Sequence, residues 1–283
     1  MITFAPIIAA SLASLPIQDP AAARGDLWHI VRVTVEQVTI IGHRGASNEA
    51  PENTMASFVR ALELGAHGVE FDVQLTSDAV PVVIHDAMLD RTTTGSGPVL
   101  AATLDQVQAL DAGGWFDLSF ADERVPLLDD VLGLPAEVFE LEIKTWGRPV
   151  LDAVLDAVDR AGVFDRVKFT GWNHAMLCRL KAERPDATIG LFAQQPQAWM
   201  NDAVFERYVL GTAETAGFDV AHVHAGAITR PIASGLQELG YVVHANDAVG
   251  PVEILRALDA GAQSISTNDV ALATSLLNGP HKT

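Results

Sequence analysis

Lysine is scarce in this chain. Four lysines, and 36 acidic side chains in all, leave a formal net charge of −18 over 283 residues. Such a surface repels nucleic acid and anionic membranes, so neither is an expected partner. It also repels an anionic small molecule at long range, so any phosphate site needs local cations to reverse the field. Cysteine occurs once, at Cys178, which excludes an internal disulfide. Within Met176-Leu177-Cys178-Arg179-Leu180 it reads as a buried small hydrophobe in a helix. No run reaches the roughly 18 apolar residues of a membrane span, so no stable membrane insertion is expected. No linker rich in Gly, Pro or Ser divides the chain from residue 38 to about 270.

What is present is apolar: hydrophobic residues make up 49% and charged residues 19%, enough for a large core and too little polarity for wholesale disorder. Residues 1–36 read as an N-terminal extension. Positions 2–16 resemble the apolar region of a signal peptide, and Ala21-Ala22-Ala23 could supply a cleavage site. But no Lys or Arg precedes the apolar stretch, and Pro6 interrupts it. The expectation is a cytoplasmic protein, with a secreted or periplasmic one as the alternative if residues 1–23 act as a signal peptide. Residues 37–283 read as one domain.

In that domain short β-rich runs alternate with amphipathic helical patterns. The runs lie near 38–42, 68–73, 80–85, 138–143, 166–170, 187–192, 218–223, 240–245 and 263–266. Repeated βα units with nearly continuous apolar strands imply a parallel sheet covered by helices, and about 230 residues is the usual size of a (β/α)8 TIM-type barrel. Nine runs exceed eight slots. The stretch Glu70–His85 has no room for a helix, and Thr76-Ser77-Asp78-Ala79 reads as a tight turn. Residues 68–75 and 80–85 are therefore expected to form a hairpin, with a small insertion after this second-strand region; the alternative is that 80–85 is a third barrel strand and one later run is not a barrel strand. A turn centred on Ser77-Asp78 would set His85 opposite Glu70. The segment 86–136 holds no further barrel strand and should cover the top of the barrel.

Ionisable side chains end three of these strands: His43-Arg44 after the first, His85-Asp86 after the hairpin, and Glu140-Leu141-Glu142-Ile143-Lys144 after the fourth run. Glu70 and Asp72 are two apart, so they share a strand face, as do Glu140 and Glu142, with Lys144 following. Carboxylates converging at a barrel mouth repel one another unless a cation joins them, and oxygen-only donors select Mg²⁺ or Ca²⁺. The plainer alternative is that the acids bridge to Lys144, Arg44 and Arg91. Two histidines flanking such a cluster suit a proton donor and acceptor pair, and the cations suit a phosphate. Six histidines, at 29, 67, 174, 222, 224 and 281, read as structural; His222 and His224 lack a carboxylate pattern nearby in sequence. His244, near a strand end, is a weak further candidate.

The motifs His43-Arg44-Gly45, Pro51-Glu52-Asn53-Thr54, Glu70-Phe71-Asp72-Val73, Thr76-Ser77-Asp78, Val82-Val83-Ile84-His85-Asp86, Arg91-Thr92-Thr93 and Glu142-Ile143-Lys144 follow in the order and spacing of one family. On them the chain resembles the glycerophosphodiester phosphodiesterases, whose barrel is related to that of the phosphatidylinositol-specific phospholipases C. The resemblance implies one divalent cation, Mg²⁺ or Ca²⁺, at Glu70, Asp72 and Glu142. It implies His43 and His85 as the acid–base pair, and Arg44 and Lys144 on the substrate phosphate. The implied reaction is hydrolysis of a small glycerophosphodiester to glycerol 3-phosphate and an alcohol. The alternatives are a lysophospholipase D or a non-catalytic phosphodiester-binding barrel. The second half departs from the family: Val243-His244-Ala245-Asn246 stands where Trp-Thr-Val-Asn is usual, Phe169-Thr170-Gly171-Trp172 where Ser-Phe is usual, and Thr267-Asn268-Asp269-Val270 where Thr-Asp precedes proline. Loose selectivity for the alcohol is expected from the missing Trp.

Overall fold

The nine β-rich runs form strands that are buried almost throughout, with apolar residues alternating with polar or charged ones in several of them. A computed structural model describes residues 38–277 apart from Trp146. The expected N-terminal extension, His29 and His281 lie outside the described residues. The strands are β1 (Thr39–His43), β2 (Gly68–Leu75), β3 (Pro81–Val83), β4 (Val138–Ile143), β5 (Val167–Thr170), β6 (Thr188–Phe192), β7 (Val220–His224), β8 (Val242–Asn246) and β9 (Ser264–Thr267). All but β3 form one parallel ring, closed by the pairing of β1 with both β2 and β9. Helices such as Met55–Glu63, Arg148–Ala161 and Arg230–Glu238 run between them. The chain is an eight-stranded (β/α)8 barrel with one extra strand.

The helices pack their apolar stripes on the outside of the ring, so the main core is the layer between strands and helices. Phe58, Phe71 and Phe139 meet there edge to face, 6.0 and 6.3 Å between ring centres, and all three are fully buried. Such pairs add about 0.5–1.5 kcal/mol to the burial of the rings themselves. The ring interior is different. It is lined by Glu70, Glu140, Glu142, His222 and His244, all nearly inaccessible to solvent. Charge inside a barrel must be paired or must hold a ligand.

β3 is the hairpin arm expected from the sequence, with a register one residue away from expectation. Val73 pairs Val83 and Leu75 pairs Pro81, so partners sum to 156. The turn is centred on one residue, Asp78. Thr76 N–H donates to the Val80 carbonyl at 3.0 Å, and Ala79 takes a left-handed φ of +61°. Ile84 N–H donates to the Asp72 carbonyl, so the residue level with His85 is Phe71 and not Glu70. Residues 86–127 build a second small core on the arm, with Val82, Ile84, Leu89, Val99, Val107 and Val125 buried together. Cys178 is exposed, contrary to expectation. The helix His174–Glu183 turns Met176, Leu177 and Leu180 inward, and the residue after Leu177 lies about 100° round the helix from it.

Candidate active site

β1 delivers His43 to the C-terminal rim of the ring. Its Nδ1–H donates to Asn268 Oδ1 at 2.7 Å, which leaves Nε2 as the free atom. That atom lies 3.8 Å from Glu70 Oε2 and 3.8 Å from Asp247 Oδ1. Burial, reinforced by the adjacent Arg44 charge, holds the His43 pKa below its ordinary value. The backbone then turns sharply. Arg44 has φ +55° and Gly45 has φ +88°, and a Cβ at Gly45 would stand 2.2 Å from Ser57 Oγ, so both the angle and the space require glycine there. Arg44, Asn53 and Asp247 are all left-handed non-glycine residues at this rim. Each such conformation costs about 1–3 kcal/mol and persists only where surrounding contacts enforce it. Here Arg44 N–H donates to Glu70 Oε2 at 2.9 Å, and Asn53 Nδ2 donates to Asp72 Oδ2 at 2.8 Å.

Glu70, Asp72 and Glu142 converge as the sequence suggested. Each offers a carboxylate oxygen within 4.8 Å of the others, and all three are buried. β2 and β4 are in register at Glu70–Glu140 and Asp72–Glu142, which sets the cluster. Lys144 Nζ lies 2.8 Å from Glu142 Oε1 and 3.1 Å from Asp72 Oδ1, and Arg44 Nε lies 3.4 Å from Asp72 Oδ2. Burial and then repulsion from Asp72 push the Glu70 pKa well up. Burial also raises Glu142 despite Lys144. For Asp72 burial opposes ionisation, yet Lys144 and Arg44 outweigh it and hold the pKa below the usual range. The group carries more negative charge than its two cations comfortably offset.

His85 sits at the end of the hairpin arm, with its side chain partly exposed. Its Nδ1–H donates to Asp86 Oδ1 at 2.6 Å, again leaving Nε2 free. Asp86 Oδ2 accepts from Arg91 Nε at 2.6 Å. Arg91 grips Glu52 with two further bonds of 2.7 and 2.8 Å, and Glu52 accepts from Arg44 Nη1 at 2.9 Å. Alternating charges thus link His85 to Asp72 through five ion pairs or hydrogen bonds. The Arg91 bond holds the Asp86 carboxyl well below the usual carboxylate range. Gln74 fixes the arm itself, donating to the His85 carbonyl at 3.1 Å.

All seven residues singled out from the sequence therefore surround one rim. Arg91 bridges Glu52 and Asp86 and touches none of the three clustered acids. Glu52, Asn53, Asp86, Asp247 and Asn268 were not given roles from the sequence. Glu52 and Asp86 stand inside recognisable motifs, so a signal existed. Asp247 and Asn268 had none, since 225 positions separate Asn268 from the histidine it holds.

One layer below, two residues earlier on β4, Glu140 meets His222 of β7 and His244 of β8 across the ring. Glu140 Oε1 lies 3.3 Å from His222 Nδ1, and its Oε2 lies 3.3 Å from His244 Nδ1. His222 has no carboxylate pattern nearby in sequence, and its carboxylate neighbour comes instead from a strand more than 80 residues away. Burial lowers the His222 pKa to about 3 and raises Glu140 to about 7. On the β5–β6 side of the mouth, Trp172 stacks on Phe192, 5.2 Å apart and inclined by 19°. This aromatic face lies away from the strand where the sequence lacked its Trp.

The family model for glycerophosphoryl diester phosphodiesterases matches residues 43–272. A glycerophosphodiester phosphodiesterase of Caldanaerobacter subterraneus is 42% identical over 161 residues, 55% of this chain and 66% of that protein. That span is just under two thirds of the relative's length. The Bacillus subtilis protein YqiK is 31% identical over 246 residues, 84% of this chain and 98% of its own length. Among solved structures, an Oleispira antarctica phosphodiesterase, determined with its product sn-glycerol-3-phosphate, superposes with a TM-score of 0.74 at 25% identity, covering 86% of this chain and 98% of that one.

Proposed function

This chain belongs to the glycerophosphoryl diester phosphodiesterase family, a family of hydrolases, and from that premise we propose that it cleaves water-soluble glycerophosphodiesters to glycerol 3-phosphate and an alcohol. The observation that carries the reading is the paired geometry of His43 and His85. Each has Nδ1 anchored and Nε2 free, on either side of a buried carboxylate cluster. His43, held by the neutral amide of Asn268, suits the proton acceptor and takes the proton of the attacking hydroxyl at Nε2. His85 donates Nδ1–H to the Asp86 carboxylate, which orients the ring and leaves Nε2 to serve the departing alcohol oxygen, so it suits the donor. Arg44 and Lys144 orient the phosphate and offset its charge.

Glu70, Asp72 and Glu142 fit a divalent cation. They are three buried oxygen donors, and burial, with the repulsion of Asp72 added, already drives Glu70 toward its neutral form. Mg²⁺ or Ca²⁺ held there would polarise a phosphoryl oxygen and lower the pKa of a nearby hydroxyl. Trp172 and Phe192 offer a stacking face for the alcohol portion, which suits a cationic or flat group rather than one fixed partner.

The test uses two substrates: glycerophosphocholine, and an analogue whose leaving group is p-nitrophenol and needs no protonation. His85→Ala should lose activity on the first and keep most of it on the second. His43→Ala should lose both. Equal loss on both substrates in the two variants would sink the role assignment. One observation favours a lysophospholipase D instead. Leu118, 84% exposed, and the exposed Trp115 stand on the segment that carries Arg91, as an apolar face for an acyl chain. A preference for lysophosphatidylcholine over glycerophosphocholine, below the lipid's micelle threshold, would select that reading.

A further inference from the structure

We propose that Glu140, His222 and His244 form a second, fully buried cation site, chemically distinct from the carboxylate cluster at the rim and suited to Zn²⁺ or a similar transition metal. The three side chains come from β4, β7 and β8 and meet inside the ring, each offering a donor atom within 4.8 Å of the others. None of them belongs to the machinery assigned to the reaction. The inference stands apart from the catalytic reading, since a chain that hydrolyses no phosphodiester could still hold this ion.

The second observation is what these donors lack. Glu140 Oε2, His222 Nδ1 and His222 Nε2 are buried without a hydrogen-bond partner. His222 and His244 are wholly inaccessible, and Glu140 almost so. Buried carboxylates and imidazoles normally complete their hydrogen bonds, and groups that do not call for an explanation. Both 3.3 Å approaches of imidazole nitrogen to carboxylate oxygen lie off the hydrogen-bonding direction. Donor atoms that converge without bonding one another leave a central point that a cation can occupy.

The surroundings fit. Ser266 Oγ lies 3.0 Å from His244 Nε2 and so can fix the tautomer that leaves Nδ1 facing Glu140, the support that metal-bound imidazoles usually have. Ser264 Oγ is hydrogen-bonded to the same Nδ1 at 2.9 Å, a bond that a cation on Nδ1 would replace, with the hydroxyl then free to supply a further oxygen. On β6, Gly190 leaves room beside the imidazole: a Cβ there would stand 2.6 Å from His222 Nε2. Two imidazoles and one carboxylate are a zinc donor set, whereas the three carboxylates above are a set for Mg²⁺ or Ca²⁺. Lys168, level with Glu140 on β5, opposes a cation and should weaken the site without removing it.

The experiment is to produce the whole protein in medium supplemented with Co²⁺, strip it on a chelating resin, and measure retained metal and visible absorption. We expect one retained cobalt per chain, with the intense d–d band of a low-symmetry ion bound to imidazole. His222→Ala, His244→Ala and Glu140→Gln should each lose ion and band, whereas Asp72→Asn should keep both. Lys168→Gln should retain the ion longer against the resin. Because a truncated core histidine can fail to fold, the unaltered protein decides by itself. A stripped protein without cobalt, or with cobalt but no such band, overturns the proposal, and so does loss of the band in Asp72→Asn.

Discussion

Glu142 and Glu140 lie two residues apart on one strand and face the same way, yet they live in different chemistries. Glu142 stands at the rim beside Asp72 and Glu70, where Lys144 already presses against it. Glu140, roughly 7 Å deeper, has no arginine or lysine within ion-pair distance among the described residues and meets two neutral imidazoles instead. The upper group is built from the ends of strands, where loops bring charge and substrate has access. The lower one is built from strand interiors, where only other strands can reach. One step along a strand thus separates a site arranged to exchange ligands from one arranged to keep what it holds.

Several substitutions would break or sharpen that contrast. If the upper group does the chemistry, Asp72→Asn and Glu142→Gln should lower kcat/KM by about 10³-fold, the worth of several kcal/mol of charge stabilisation. Full turnover in either variant, or in enzyme kept in EDTA, would erase the distinction. Replacing either histidine at the rim by alanine should lower kcat by roughly 10²–10⁴-fold, measured at saturating substrate. His222→Ala should leave kcat far closer to the parent value, and an equal loss would mean the two layers act as one.

Asp86→Asn tests the outer relay. It removes one charge-assisted bond to His85 and another to Arg91, and each is worth about 1.5–3 kcal/mol. The expected result is a fall in kcat of about 10- to 100-fold with little change in KM; an unchanged kcat would detach the relay from His85. The smallest effect should come from the lower layer. Gly190→Ala would press a methyl against His222, and overpacking of this kind costs about 1–3 kcal/mol of stability. Denaturant titration would show a lower midpoint with kcat/KM nearly intact. A large kinetic effect without loss of stability would place His222 in the reaction.

Much of the rim was legible in the chain because its parts are local. His43-Arg44, Glu70-x-Asp72, His85-Asp86 and Glu142-x-Lys144 each lie on or just after a strand, and period-two alternation puts Glu70 with Asp72, and Glu142 with Lys144, on one face. The hairpin was legible too, since no helix fits between residues 70 and 85. Its register was not, because a turn centred on Asp78 alone needs Ala79 in a left-handed conformation that alanine does not advertise. Cys178 was misread because an apolar run in a helix does not say which of its members faces outward.

By itself, the sequence determined which residues would stand at strand ends, and so the identity of the acids, histidines and cations at the rim. It also determined that eight parallel strands would close into a barrel, since the apolar periodicities are local properties. Only the tertiary structure decided what meets across the ring: Asn268 on His43, Arg91 on Glu52, and Glu140 between His222 and His244. Those contacts join strands or loops tens to hundreds of residues apart. They depend on the stagger of neighbouring strands, which follows from closing the ring as a whole and from no single segment of it.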